Sequence, residues 1–295
     1  MRRIIFKIKT KIRRLLTRKL NLHRPSSYPY ISGDGFRSLA QHIFDDISNF
    51  NPIHVKENDI VFVRTDFVKE FFTEKHPLIR NRYILISHNS DSNIDKSYIQ
   101  YIDEKIIHWF SQNALVEHLK ITPIPIGLTN YHYSFVIDRG NISNIYKAIN
   151  LTEPSKKINR ISYGFVITNK SRVILLEDLK KNRLADNIED KDQMTYFKKM
   201  SSYRFTVSPD GNGADCFRTW EAIYLKTIPF VIRNEMNEYF KKIKLPIYVL
   251  DSWRDLEYIT EDQLEREYGS IMSESDNSPA FMDYWYKEII RHKIK

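Results

Sequence analysis

The chain has 295 residues and a mass of 35.3 kDa; with 42% hydrophobic and 13% aromatic residues it can bury the core of one large or two small domains, which excludes wholesale disorder. Its single cysteine, Cys216, excludes an internal disulfide framework and suits a reducing compartment, no Cys/His set stands at metal-ligand spacing, and no apolar run reaches the roughly 18 residues of a membrane span. Ten of the 46 Lys/Arg fall in residues 1–24 with no acid among them, leaving 36 bases against 37 acids, so the +9 charge belongs to the tail and the body lacks the basic face of a nucleic-acid binder.

Residues 1–24 form the first predicted element. At 100° per residue Ile4, Ile5, Ile8, Ile12, Leu15, Leu16 and Leu20 share one side, with Lys and Arg over most of the rest. A basic amphipathic helix of this kind lies on an anionic membrane surface; the alternatives are a helix packed on its own domain or a partly disordered tail. The interrupted apolar pattern and the lack of a small-residue cleavage site exclude a signal peptide, and the shortage of Ser excludes a transit peptide.

Residues 25–150 read as a first α/β domain. A Pro/Ser/Gly loop, "HRPSSYPYISGDGF", precedes a predicted helix over "FRSLAQHIFDDI", with Phe36, Leu39, Ala40, Ile43 and Phe44 on one face. Short apolar runs follow, each ending in a polar loop: "DIVFVRTD", "YILISHNSD", "KIIHWFSQN" and "ITPIPIGLTN". The intervening pieces have helical length. This alternation predicts βα units and a mostly parallel sheet whose strand ends carry ligand groups.

The linker-like "NLTEPSKKINR" opens a second domain, 151–276. Its predicted order is strand "RISYGFVITN", helix "SRVILLEDLKKNRLADN", strand "YRFTVSPDG", helix "DCFRTWEAIYLKT", and strands "IPFVIRN" and "LPIYVLDSW". The last element, 277–295, is a helix with Ser278 as cap and Pro279 in its first turn, expected to pack back on the first domain. The fold class is therefore α/β, two tandem Rossmann-like domains behind a basic amphipathic helix.

The most informative stretch is "SPDGNGADCFRTWEAIYLKTI", Ser208 to Ile228. A β-rich strand ends near Pro209, and Asp215 or Ala214 is expected to cap the helix that follows. Gly211 and Gly213 permit positive φ and a close approach of backbone N–H groups to a ligand. A helix start behind such a loop favours an anion, above all a phosphate. Arg218 can clamp a diphosphate, and Glu221, at i+3 on the same side, can accept two hydrogen bonds from a ribose diol. The bland reading is an ordinary strand–helix turn with Arg218 and Glu221 as a surface ion pair. Trp220 reads as core rather than as a stacking platform.

This stretch, continued through "LPIYVLDSW", resembles the C-terminal signature of exostosin-type glycosyltransferases: a strand ending in Ser208 and Pro209, a loop with Gly211 and Gly213, and a helix with Arg218 and Glu221. Pro229, Leu245, Pro246, Asp251 and Trp253 complete the pattern over about 50 residues. A weaker likeness extends back to "YGFVITNKSRVILLEDL", where Arg172 sits in the loop after the domain's first strand, beside Lys170. The first half is similar only in its order of elements, notably "WFSQNA" and "PIPIGLTN", to bacterial sugar transferases of this broad group. The resemblance implies a GT-B architecture and a nucleotide-sugar donor, UDP- or GDP-linked, held by Ser208, Pro209, Gly211, Gly213, Arg218, Glu221 and Arg172. It implies no cofactor and no obligatory metal, and the sequence has no Asp-x-Asp triplet.

A base for the acceptor hydroxyl is expected on the first domain's strand-end loops. His88, directly after "YILIS", and Asp34 in "SGDGFR" are the candidates, ahead of Asp66 and Asp91; capping is the competing role for Asp34 and Asp66. The function expected is transfer of a sugar onto a growing surface glycan or lipid-linked glycan, at the cytoplasmic membrane face, with the tail on the anionic surface. A non-catalytic scaffold of the same fold, bound to membrane through the tail, is the alternative. A nucleotide-dependent epimerase is disfavoured because no GxGxxG follows the first strand.

Overall fold

The computed structural model describes residues 24–130, 142–151 and 157–293, which form two all-parallel five-stranded sheets. A short helix α1 (Gly33–Arg37) precedes β1 (His42–Phe44), β2 (Asp59–Arg64), β3 (Tyr83–His88), β4 (Ile106–Ser111) and β5 (Ile121–Pro123), paired in that order. After α2 (Ile142–Leu151) the chain continues as β6 (Ile158–Tyr163), α3 (Lys170–Lys181), β7 (Ala185–Asn187), α4 (Gln193–Ser201) and β8 (Tyr203–Val207). Then come α5 (Phe217–Tyr224), β9 (Ile228–Ile232), α6 (Glu235–Lys242), β10 (Tyr248–Leu250), α7 (Glu261–Glu274) and α8 (Met282–Arg291). The second sheet is ordered β10-β9-β8-β6-β7. The expected pair of Rossmann-like domains is present.

Sheet order decides how the domains meet. Right-handed crossovers between parallel strands taken in sequence put every connection on one face of the first sheet. The helical turns within 65–78 and 96–101 cover that face, packing Phe71, Phe72 and Tyr98 against Val61, Leu85 and Trp109. The opposite face, with Ile60, Phe62, Ile84, Ile86 and Phe110, has no crossover helix of its own. It shares one core with Trp220, Phe240 and Trp285 from the C-terminal half. Trp285 of α8 meets Phe36 of α1 at 6.2 Å between ring centroids, and His292 meets Phe110 at 5.3 Å. The domains are therefore joined by apolar packing as well as by a cleft. On the far side of the second sheet α3 and α7 close a separate core around Leu175, Leu179, Phe205 and Leu264.

Several elements differ from expectation. The predicted helix over 36–47 stops at Arg37, and His42–Phe44 is an edge strand paired with Val61–Val63. Gln41 supplies the reason: its N–H donates to the Ile60 carbonyl, and its side-chain oxygen accepts from the Ile60 N–H. The helix predicted through Asn187 ends at Lys181, and β7 and α4 add to the expected second domain. Ser278 begins a single 3-10 turn and bonds Asp276, while α8 begins at Met282 with no side-chain cap. The basic segment lies outside the described residues except for Arg24, whose guanidinium pairs with Asp34 at 2.6 Å and Asp45 at 3.5 Å. No helix among the described residues is long and apolar enough to cross a membrane.

Candidate functional site

In the second sheet the chain leaves β6 toward β7 and returns on the other side as β8. That reversal makes β6/β8 a topological switch point, where loops splay apart beyond the strand C-termini and leave a crevice. Residues 164–169 and 208–216 are those loops. Ser208 closes β8, and its hydroxyl lies 2.9 Å from Thr219 Oγ1 and 3.1 Å from Cys216 Sγ, which fixes the start of α5. Arg172, buried in the first turn of α3, staples the two loops. Its Nη2 donates to the Pro209 carbonyl, Nε to Asp210 and Nη1 to Val166, at 2.9, 2.9 and 2.7 Å.

Arg218 is held differently. Its Nε donates to the Gly164 carbonyl at 3.2 Å and to Tyr196 Oη at 3.1 Å, and the terminal nitrogens make no hydrogen bond among the described residues. The Arg172 and Arg218 guanidinium carbons stand 5.6 and 5.7 Å from the centroid of the Phe165 ring, so two cations converge on one aromatic. The Glu221 carboxylate, one turn on, forms neither an ion pair nor a hydrogen bond among the described residues, which excludes the surface ion-pair reading. Burial pushes its carboxyl up to about 7, against the opposing pull of Arg218.

The two glycines of the loop act otherwise than expected. Among the described residues Gly127 is the glycine with positive φ, at +67°, where it passes the Ile31 carbonyl; Gly211 and Gly213 are not in that region. A Cβ on Gly213 would come within 2.6 Å of Asn113 Nδ2 and 3.0 Å of the Asp91 carbonyl. Its missing side chain thus admits the first domain rather than a ligand. Gly211 N–H donates to the Gly213 carbonyl at 3.0 Å. Asp215 is not the cap of α5 either; Cys216 occupies that position without a side-chain bond. The Asp215 carboxylate instead accepts from Ile126 N–H at 2.7 Å and from Trp220 Nε1 at 2.9 and 3.0 Å, while its own N–H donates to Asn113 Oδ1 at 2.9 Å. Trp220 is wholly buried, as core.

Facing this edge is a cleft of about 710 Å³, lined by strand-end residues of the first domain together with Asn212 and Phe217 of the second. His88 ends β3 at its floor, 1% exposed. Its Nδ1 accepts from Asn89 N–H at 2.6 Å, so Nε2 carries the proton and donates to the Pro125 carbonyl at 2.9 Å. Burial holds the ring down to about 4. Both nitrogens are committed to main-chain partners in this arrangement, which favours a structural role for His88 over the expected catalytic one. Asp34 is similarly withdrawn: Ser32 caps α1, and the Asp34 carboxylate, with no exposed side-chain surface, pairs with Arg24. Asp66 accepts from Ser90 Oγ and Ser92 Oγ and pairs with Arg64 at 2.7 Å, and these contacts keep its carboxyl below the usual range although partial burial opposes them. Asp91 is exposed, with Oδ2 accepting from Asn212 Nδ2 at 3.2 Å across the cleft.

Sequence reasoning missed Asn113, Asn212 and Tyr196. A signal existed for the first: Asn89 and Asn113 follow the β3 and β4 strand ends in the left-handed region, at φ 65° and 52°, a conformation that Asn tolerates better than most residues.

No family model matches the chain, and no curated protein does. Among solved structures it is similar to a GtfA/B complex, at 8% identity and a TM-score of 0.42 over 81% of this chain and 58% of that one. It is similar to α,α-trehalose 6-phosphate synthase from Burkholderia multivorans, at 8% identity and a TM-score of 0.41 over 80% of this chain and 72% of that one. It is also similar to the pneumococcal O-GlcNAc transferase GtfA in complex with UDP and GlcNAc, at 12% identity and a TM-score of 0.36 over 81% and 58%. Likenesses this distant carry no argument about activity.

Proposed function

We propose that the chain is a glycosyltransferase of the GT-B type that takes its sugar from a UDP- or GDP-linked donor. The observation that carries this reading is Arg218, whose terminal N–H groups are unbonded among the described residues beside an unpaired Glu221 at the sheet's switch point. Arg218 receives the diphosphate and Arg172 adds positive charge, so the leaving group has its countercharge without a metal ion. Glu221 accepts from the ribose diol. The acceptor, a growing glycan or a lipid-linked one, enters the first-domain side of the cleft. Its hydroxyl oxygen forms the new bond to the anomeric carbon as the sugar–phosphate bond breaks. The electron pair leaves with the diphosphate, and Asp91, an exposed carboxylate of the cleft that, unlike Asp66, is not paired with Arg64, takes the proton. Residues 1–24 keep the protein on the anionic inner face of the membrane, where lipid-linked acceptors reside.

Calorimetric titration with UDP and GDP tests the donor site. Arg218→Ala and Glu221→Ala should each weaken binding by roughly 30- to 150-fold, the loss of a charge-assisted hydrogen bond worth ~2–3 kcal/mol. Parental affinity in both variants would remove the basis of the assignment. Nucleotide binding without transfer or hydrolysis across a panel of nucleotide sugars would favour the non-catalytic scaffold.

A further inference from the structure

A second cavity, of about 620 Å³, lies on the outer face of the second domain, between the C-terminal end of α3 and the 3-10 turn Trp253–Glu257. Its apolar floor, Leu179 and Leu256, belongs to the core on the side of the sheet opposite Trp220 and Ala222 of α5, so it is separate from the cleft. The wall is Trp253. The other three tryptophans are fully buried and each indole N–H is used: Trp109 donates to Ser87, Trp220 to Asp215 and Trp285 to Pro279. Trp253 is only partly buried, and its indole N–H has no partner among the described residues. A tryptophan that keeps part of its ring surface and its N–H donor unused at the wall of a cavity is suited to a binding platform.

The rim has a particular chemistry. Asp178 and Lys181 come from α3, Arg254 and Glu257 from the 3-10 turn, and all four line the cavity without an ion pair or side-chain hydrogen bond among the described residues. Acceptors and donors therefore line the same cavity as one partly buried aromatic ring. A phosphate would be drawn to Lys181, Arg254 and Arg183, which also lines the cavity, but would meet the opposing charges of Asp178 and Glu257. A purely apolar ligand would leave all four uncompensated. A sugar ring fits both halves: its C–H face lies on the indole, and its hydroxyls donate to the carboxylates while accepting from the cations.

We propose that this cavity is a second carbohydrate site, which holds a neutral or weakly acidic oligosaccharide on the face away from the cleft. In a glycan-elongating enzyme it retains the distal part of the chain while the growing end reacts. That consequence rests on the glycosyltransferase reading; the binding site itself does not.

The test uses the full chain on a glycan array of neutral and acidic oligosaccharides, followed by titration of the best binder under tryptophan fluorescence. The expected result is binding with a change in emission, weakened at least tenfold in Trp253→Ala and in the rim variant Asp178→Ala/Glu257→Ala. UDP or GDP affinity should stay parental in both, which shows that they are folded. No oligosaccharide bound, or unchanged binding in both variants, overturns the site. Loss of nucleotide rather than glycan binding in Trp253→Ala would overturn the carbohydrate assignment. Failure of Arg218→Ala to affect nucleotide would instead strike the donor reading and leave this one standing.

Discussion

Asp215 is the residue where the structure makes the sharpest quantitative demand. Its carboxylate accepts from the main chain of the first domain, at Ile126, and from the indole of Trp220 in the second. Asp215→Ala strands both buried donors, each costing about 1–3 kcal/mol, so the variant should lose about 2–6 kcal/mol of an expected 5–15. Asp215→Asn keeps an oxygen for both donors and should fold like the parent at low pH. The pH dependence separates the two effects. Burial raises the Asp215 carboxyl from 3.8 to about 7, so the folded state favours its neutral form. That contribution is fully present below pH 3.8 and is lost as the pH rises through 7. Three pH units correspond to about 4 kcal/mol. Other groups titrate in the same window, among them His88 with the opposite sign, so the informative quantity is the difference between variant and parent. Urea unfolding from pH 4 to 8 should show Asp215→Asn matching the parent near pH 4 and exceeding it increasingly toward pH 8. Parallel curves, or an Asp215→Ala variant within about 0.5 kcal/mol of parent, would refute the role of Asp215 in joining Ile126 to Trp220.

The remaining expectations use the same logic at other positions. In the proposed donor site Glu221 would accept from a ribose diol as a carboxylate, so nucleotide affinity should rise as the pH passes about 7 and should be flat in Glu221→Gln; calorimetry at pH 6 and 8 checks it. His88 is held neutral at about 4, so its contribution is present above 6.5 and is lost as pH falls through 4. His88→Leu should leave the Pro125 carbonyl unbonded, while Asn89 N–H keeps Gln112 Oε1, and cost about 1–3 kcal/mol in urea without a specific loss of turnover. Gly213→Ala must displace Asn113 or the Asp91 backbone, and a thermal melt should report a loss of about 1–3 kcal/mol. Deletion of residues 1–23 should abolish sedimentation with anionic liposomes while nucleotide binding survives; equal sedimentation would remove the tail's membrane role.

What the sequence made legible was local. The alternating "YRFTV", the turn residues after it and the apolar face of α5 lie within 22 consecutive residues, and the loop with Arg218 and Glu221 was readable there. What escaped depends on partners far along the chain. Asp215 looked like a cap because Ile126, 89 residues earlier, cannot be seen from its neighbours, and His88 looked free because nothing local announces the Pro125 carbonyl. The strand at His42–Phe44 was hidden within a helical spacing that only its pairing with Val61–Val63 overrides. Helix α4 carried a weak signal, Met194, Phe197 and Met200 three residues apart, diluted by the polar residues between them.

The same contrast bears on why Arg218 and Glu221 remain apart. At i and i+3 on one helix an ion pair between them is the default, and sequence alone allowed it. The fold prevents it by spending Arg218 Nε on the Gly164 carbonyl and Tyr196 Oη, both from outside α5. The result is a guanidinium with unused donors and a carboxyl raised to about 7, a combination that costs stability in the protein alone. A ligand that presents acceptors to the arginine and donors to the carboxylate would remove both costs at once. Phosphate oxygens beside a ribose diol have that pairing of chemistries, and the β6/β8 switch point is the place in such a sheet where a ligand of that kind is expected.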